Sequence, residues 1–512
     1  MVRACQPDKS TMRTVASSAA AAAVAALLAT ARAQQPEQAH LAYTGKAGQL
    51  SLDFMAHGEN CSLAWGVQIA TSPDFSQADF VPAYACDDFT AQESARTLAV
   101  RALLTGLEIG TQYYYVCGSD DERAPWSQVY SFTFQQGAAR AGGAPVYAVL
   151  ADFGFYNAES LERLPAEACE GKFDTLLHAG DFSYDFDTDA GRVGDGYMRQ
   201  LAPVISSVPY MGIPGNHESA TNYTHYKMRF ASVAENAGAN SGSGTNMFYS
   251  FNDGLTHFVM WDSEAYWSQP KDSQTAMENW LRADLAAANA DRAAHPWVIA
   301  RECPRRAQPR ASAPDRPLTH TPLKLLPTRC PLASKVAHKG WWMDDTLQCP
   351  SGAGCVVWQI LTEGGVDLFW TGHIHYYSRD LPQYPNAANG TGAVDTTCAS
   401  ANLGNATNPR AIYTDCKFMT TIVCAAPGDQ EVNAERHEHP APQLVGPLLA
   451  PQAGVTSTNN YGFSKMQAVN ATHLYCRFDT AVPHVNSSAP HYTDELWLIV
   501  HNHGPRSNLP PV

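Results

Sequence analysis

Aspartate, asparagine, histidine and tyrosine recur in four short stretches of this sequence, each time after an apolar run. "VLADFG" ends in Asp152 and Gly154. "LLHAGDFSY" ends in Gly180, Asp181 and Tyr184. "GIPGNHE" ends in Gly215, Asn216, His217 and Glu218, and "LFWTGHIH" ends in Gly372, His373 and His375. Asp, Asn and His together suit first-row divalent or trivalent ions, and one carboxylate can bridge two of them. His373 and His375 stand two apart, so both rings can face one site from a loop or turn. A tyrosine three residues after an aspartate adds a phenolate, a hard anionic ligand that favours ferric iron over zinc. Taken singly, each piece is weak. Asp-x-Gly is most often just a turn, "GNHE" can be a loop that caps a helix, and paired histidines can be surface residues. All four in order, each at the end of a buried-strand pattern, point to a metal site.

For the four clusters to meet, their strands must end at one edge of a sheet. Ligands sit at the carboxyl ends of strands in open α/β sheets, and a glycine beside each cluster lets backbone approach closely. From residue 145 the sequence has this texture. "PVYAVLAD", "FDTLLHAGD" and "YMGIPGN" read as buried strands, and "AESLERLPAEACE" and "GDGYMRQLAPVISS" have helical spacing between them. "THFVMWDS", "VDLFWTG" and "FMTTIVCAA" are later strands. This βαβ alternation predicts helices covering buried sheet faces. Residues 36–136 read differently. "LSLDF", "WGVQI", "YYYVC" and "YSFTF" alternate with period two between turn residues, as in a small β-sandwich whose aromatics fill the core. "QQGAARAGGA", residues 135–144, is the linker.

The chain has 512 residues, 45% apolar and 16% charged, which describes a globular protein of about two domains. Its net charge of −15 argues against a nucleic-acid or anionic-membrane surface. An anionic substrate would need local positive charge, which a metal can supply. Residues 1–33 read as a secretory signal: Arg13 is the basic flank, "SSAAAAAVAALLAT" the apolar run, and "ARA" the cleavage site, with Met12 an alternative start. Nothing later is long and apolar enough to span a membrane. Thirteen cysteines, less Cys5 in the signal, leave an even set suited to disulfides. Sequons begin at Asn60, Asn222, Asn389, Asn405, Asn470 and Asn486, so a glycoprotein is expected.

The ordered set D-x-G, G-D-x-x-Y, G-N-H-E and G-H-x-H resembles the calcineurin-like metallophosphoesterases, and the tyrosine in "GDFSY" narrows this to the purple acid phosphatases. The resemblance covers most of the chain after residue 33. It implies an α/β (α+β) metallophosphoesterase sandwich of two mixed sheets flanked by helices, at 145–505. A fibronectin-III-like β-sandwich at 36–136 would precede it, and closing strands would lie at about 455–505. By match, Asp152, Tyr184 and His375 would bind Fe(III), and Asn216 and His373 a divalent ion (Zn, Mn or Fe). Asp181 would bridge the two, and His217 would reach the phosphate or leaving group. The implied activity is that of a secreted acid phosphatase: hydrolysis of phosphate monoesters by a metal-bound hydroxide. The implied location is extracellular or vacuolar–lysosomal. The partners would be small phosphorylated substrates, with no nucleic acid and no membrane span, and a homodimer is allowed. The alternatives are a phosphodiesterase or nucleotide pyrophosphatase on the same core, and a catalytically impaired glycoprotein.

The fifth family motif, V-x-x-H, departs. "HPWVIA" resembles the strand that runs into a histidine ligand of the divalent ion, yet Arg301, Glu302, Cys303 and Pro304 follow. Residues 301–336 hold seven prolines, and 301–339 hold nine Lys/Arg against two Asp/Glu. The pattern resumes at "VAHKGWW", which makes His338 the expected ligand and His320 its rival. The insert is either a surface loop or translated non-coding sequence, and its abrupt composition favours the second. "HKGWW" lacks the family's further substrate-binding histidines, so the general acid stays open, with His217 the first choice.

Overall fold

The computed structural model describes residues 35–57, 61–89, 97–121, 124–137, 143–266, 271–302, 356–373, 375, 377–384, 393–399, 403–405, 408–428, 456–458, 461–480 and 493–506. Its strands are numbered along the chain. The N-terminal ones are β1 (Glu37–Tyr43), β2 (Gln49–His57), β3 (Trp65–Ala70), β4 (Asp79–Pro82), β5 (Ala85–Asp88), β6 (Thr97–Thr105), β7 (Gln112–Ser119) and β8 (Tyr130–Thr133). Next come β9 (Val146–Leu150), β10 (Thr175–Ala179), β11 (Tyr210–Ile213), β12 (Tyr249–Asp253), β13 (Thr256–Met260), β14 (Trp297–Glu302), β15 (Leu368–Thr371) and β16 (Tyr377–Arg379). The last are β17 (Gln383–Tyr384), β18 (Ala393–Val394), β19 (Arg410–Thr414), β20 (Thr420–Cys424), β21 (Thr456–Thr458), β22 (Gly462–Ala468), β23 (His473–Thr480) and β24 (Thr493–Ile499).

β1 to β8 make two four-stranded antiparallel sheets, ordered β1-β2-β6-β5 and β4-β3-β7-β8. The alternation read in the sequence places Leu50, Leu52, Phe54, Val67, Tyr115 and Cys117 in the core between them. The region from residue 145 onward holds two mixed sheets, among the described residues of seven strands each: β11-β10-β9-β22-β23-β24-β19 and β12-β13-β14-β15-β20-β16-β21. In β14, Trp297 and Ile299 join the core shared with the first sheet, while Val298 and Ala300 join the opposite core. Helices Lys271–Ala290 and Val356–Glu363 cover that second face through Met277, Leu281, Leu285, Trp358 and Leu361. Helix Arg192–Ile205 packs Tyr197, Leu201 and Ile205 against the first sheet. The "AESLERLPAEACE" segment forms one 3-10 turn, Glu159–Glu162, and the short helix Leu164–Cys169, because Pro165 has no backbone N–H to continue a single helix.

The sandwich is fused to the mixed-sheet region, and one apolar core runs from Leu41 and Leu52 to Leu177 and Met211. The seam also buries a polar cluster. Tyr43, on β1, donates its hydroxyl to Asp253 Oδ2 at 3.3 Å and lies 3.1 Å from Thr175 Oγ1. Tyr147 donates to the same Asp253 oxygen at 3.0 Å, and the Gly137 N–H donates to Oδ1 at 2.6 Å.

The even cysteine set is not wholly paired. Disulfides join Cys61 to Cys86 and Cys398 to Cys416, and Cys169 is also bonded. Cys117, Cys424 and Cys476 are reduced and buried, because they point into strand cores and serve as small apolar side chains. Among the described residues no helix is long and apolar enough to cross a membrane. The 1–33 segment lies outside those residues, as do 303–355.

Candidate metal centre

β9, β10 and β11 are parallel, so their carboxyl ends fall on one edge of the first sheet. β13, β14, β15 and β20 are parallel in the second. The edges meet where the Ala151 N–H donates to Cys424 O at 3.0 Å. Beyond the strands the loops stay in register: Asp152 N–H donates to Gly180 O, Phe153 N–H to Asp181 O, and Gly154 N–H to Phe182 O. The turns are tight enough that Asp152, Asp181, Tyr184 and His373 all take left-handed backbone conformations, with φ of 58°, 52°, 59° and 71°. That conformation is unfavourable for L-residues with a Cβ. The sequence reading expected the adjacent glycines to allow close approach of backbone. Gly154 and Gly180 do have positive φ, but Gly215 has an ordinary φ of −113°. Gly372 matters for space: a Cβ there would lie 2.7 Å from Asp152 Oδ2.

These turns aim the side chains at one point. Tyr184 Oη lies 2.7 Å from His375 Nε2 and 3.3 Å from Asp152 Oδ1, and His375 Nε2 lies 3.3 Å from the same carboxylate oxygen. Asp152 Oδ2 accepts the His373 N–H at 2.7 Å, and His373 Nδ1 lies 3.7 Å from Asp181 Oδ2. One ligand atom each from Asp152, Asp181 and His373 lie mutually within 4.8 Å. Asp181 Oδ1 accepts the His217 N–H at 3.0 Å, which brings the Asn216–Glu218 turn against the same carboxylate. Asp181 Oδ2 and Asn216 Oδ1 are buried, and among the described residues neither accepts a hydrogen bond. A buried aspartate oxygen that no described donor meets, clustered with a second carboxylate, a phenol and two imidazoles, suits cations, so the donor set of Asp152, Asp181, Tyr184, His373 and His375 fits metal ions. His338 and His320 lie outside the described residues. β14 nevertheless ends beside the site, since Glu302 pairs with Thr371, two residues before His373.

Burial pushes the Asp152 carboxyl up to about 6, with the charge of Asp181 adding to it and His375 opposing. Burial also acts to raise Asp181, but His217 and His373 outweigh it and hold that carboxyl below its ordinary range. His217 goes up to about 10, because Asp181 and Asp185 overcome the burial that disfavours its charge. Its Nδ1 lies 3.0 Å from Asp185 Oδ1, and its ring packs 4.4 Å from that of Tyr184, centroid to centroid. Glu218 is raised to about 8 by burial and by Asp181.

Three contributors had no role in the sequence reading. Asp185 partners His217, and its only signal was its place after Tyr184. Glu218 ties loops together, as developed below. Arg301 is buried between the sheets and donates Nη2 to Leu150 O at 2.9 Å, beneath the Asp152 turn. Of the sequon residues, Asn222, Asn405 and Asn470 are exposed, and Asn60, Asn389 and Asn486 lie outside the described residues.

The family model for "Calcineurin-like phosphoesterase" matches residues 146–377, and that for "Purple acid Phosphatase, N-terminal domain" matches 36–134. The chain belongs to the purple acid phosphatases. It is 28% identical to zebrafish acid phosphatase type 7 over 487 residues, covering 92% of this chain and 93% of that one. Mouse acid phosphatase type 7 is 28% identical over 443 residues, 86% of each chain. The human protein of that name is 33% identical over 273 residues, 52% of this chain and 58% of its own. The structure of a purple acid phosphatase from yellow lupin seeds aligns with a TM-score of 0.57 at 15% identity, over 90% of this chain and 74% of that one, a likeness of fold. The purple acid phosphatase fold thus accounts for both the β-sandwich and the paired mixed sheets.

Proposed function

We propose that this protein is a secreted acid phosphatase that hydrolyses phosphate monoesters at a mixed-metal centre. Asp152, Tyr184 and His375 would hold ferric iron. Asn216, His373 and His338 would hold a zinc, manganese or ferrous ion, and Asp181 would lie between the two. The observation that carries this reading is the meeting of Tyr184 with Asp152 and His375 at 2.7–3.3 Å, a hard anionic donor set. When bound, the metal pair supplies Lewis acidity, an acidified water and the positive charge that a −15 chain lacks.

The chain's own residues do the rest. Burial of Asp152, Asp181 and Tyr184 keeps bulk water off the donors, which strengthens every electrostatic contact there. Asp181 and Asp185 favour the protonated form of His217 against the burial that opposes it. Asp185 fixes its Nδ1 side, so the other ring nitrogen is the one that can give a proton to the leaving alkoxide. Secretion as a glycoprotein is supported by the signal-like 1–33 segment, the disulfides and the exposed sequon asparagines.

The test is turnover of p-nitrophenyl phosphate against bis(p-nitrophenyl) phosphate at acidic pH, in protein loaded with iron plus zinc or manganese. Preferential hydrolysis of the monoester is expected. Equal or faster hydrolysis of the diester would overturn the monoester reading, and no turnover of either would overturn the enzymatic one.

A further inference from the structure

Glu218 is 3% exposed, and its carboxylate accepts three backbone N–H groups. Oε2 takes Gly215 N–H at 2.8 Å and Asp181 N–H at 3.0 Å, and Oε1 takes Phe182 N–H at 2.9 Å. The bond to Gly215 closes its own turn, as the acidic half of a capping box does. The other two cross to the loop after β10, which carries Asp181. The Asp181 carboxylate crosses back, its Oδ1 accepting the His217 N–H at 3.0 Å. The two loops are therefore clasped in both directions by two buried carboxylates.

Asp181 sits at φ 52°, a conformation it would leave if its N–H were released. With Oδ1 engaged by His217 and the backbone engaged by Glu218, Oδ2 is left facing His373 at 3.7 Å with no hydrogen-bond donor among the described residues. We propose that Glu218 is a positioning residue for Asp181, presenting that oxygen to the second metal ion by locking the backbone of the loop. This rests on the reading of Asp181 as the group between two metals. Partners of this kind fix ligand orientation, and their loss typically weakens metal affinity about 10–100-fold. In Glu218→Gln, the amide NH2 faces either the Phe182 N–H or both the Gly215 and Asp181 N–H groups, so one bond to the Asp181 loop fails in either orientation.

The experiment titrates zinc into the full-length, metal-stripped protein by calorimetry, for wild type, Glu218→Gln and Glu218→Asp. It also measures backbone hydrogen exchange on a peptide spanning 179–186. In Glu218→Gln the second zinc is expected to bind about 10–100-fold more weakly, the first nearly as in wild type, and the peptide to exchange faster. Glu218→Asp keeps both carboxyl oxygens but is one methylene short. It should show the same split to a smaller degree, and it carries the test if the Gln variant does not fold. Two zinc ions in both wild type and variants, with unchanged affinities, would overturn the inference alone. So would an equal loss of both ions together with lower thermal stability, the mark of a merely structural residue. Fewer than two zinc ions in wild type would overturn the two-metal reading and this inference with it.

Discussion

The buried carboxyl of Asp253 should contribute stability in acid that is lost by neutral pH. Asp253 is 1% exposed at the seam between the sandwich and the catalytic region. Burial, helped by the nearby charge of Asp174, pushes its carboxyl up to about 7, although hydrogen bonds from Gly137, Tyr147 and Tyr43 oppose this. An unfolded aspartate titrates near 3.9, so the gap is roughly three pH units, each worth about 1.36 kcal/mol. Between about pH 4 and pH 7 the native state holds a proton that the unfolded chain has lost. The slope is therefore negative: this contribution is fully present below pH 4, falls through the interval, and is gone above pH 7. The total is about 4 kcal/mol. Asparagine should fit the site, with its oxygen accepting the Gly137 N–H and its amide donating to a tyrosine oxygen. Asp253→Asn should leave stability near the wild-type value at pH 4 and make the variant several kcal/mol more stable than wild type at pH 8. Urea unfolding of both proteins at the two pH values measures this. Comparing wild type with variant at each pH cancels the contributions of other buried acids such as Asp380, itself raised to about 7. A change in that difference of less than about 1 kcal/mol between pH 4 and pH 8 would refute the reasoning, because a neutral buried carboxyl would then not be present.

Tyr184→Phe removes the phenol oxygen near His375 and Asp152. It should abolish any visible phenolate-to-iron absorption band and reduce activity by at least about 10-fold, read by absorption spectroscopy and turnover of the iron-loaded protein. His217→Ala should lower kcat by about 10²–10⁴ for alkyl phosphates but much less for p-nitrophenyl phosphate, whose leaving group needs little protonation. Asp185→Asn removes the partner of His217 Nδ1. With one of its raising charges gone, His217 should lose its proton at lower pH, and the alkaline limb of the kcat profile for alkyl phosphates should move down. Replacing both Cys61 and Cys86 by serine opens a loop of 25 residues and should cost about 3.5 kcal/mol by the chain-entropy argument, measured as a lowered urea midpoint.

The strands and the metal-binding edge were legible because strand ends, glycines and ligand types recur in sequence order. "VLADFG", "LLHAGD" and "LFWTGH" each announce a buried strand and the residue it delivers. What was not legible depends on the third dimension. Glu218 reads as an ordinary acid, and only folding shows its carboxylate crossing to the Asp181 loop. The reduced state of Cys117, Cys424 and Cys476 depends on which face of a strand each occupies, which a cysteine count ignores. The strained backbone of Asp152, Asp181, Tyr184 and His373 also escapes a reading that looks to the neighbouring glycines for close backbone approach.

That strain sets selection for robustness against selection for activity. Each of the four left-handed positions carries a penalty on the order of 1 kcal/mol that glycine would relieve. At Asp152 and Asp181, glycine would also remove one of two mutually repelling buried carboxylates. In a library screened for heat resistance alone on metal-free protein, a substitution such as Asp152→Gly, which erases a candidate metal ligand, would therefore register as a gain. Any programme to harden this protein has to screen for turnover at every round, or it will converge on a durable shell that has lost its chemistry.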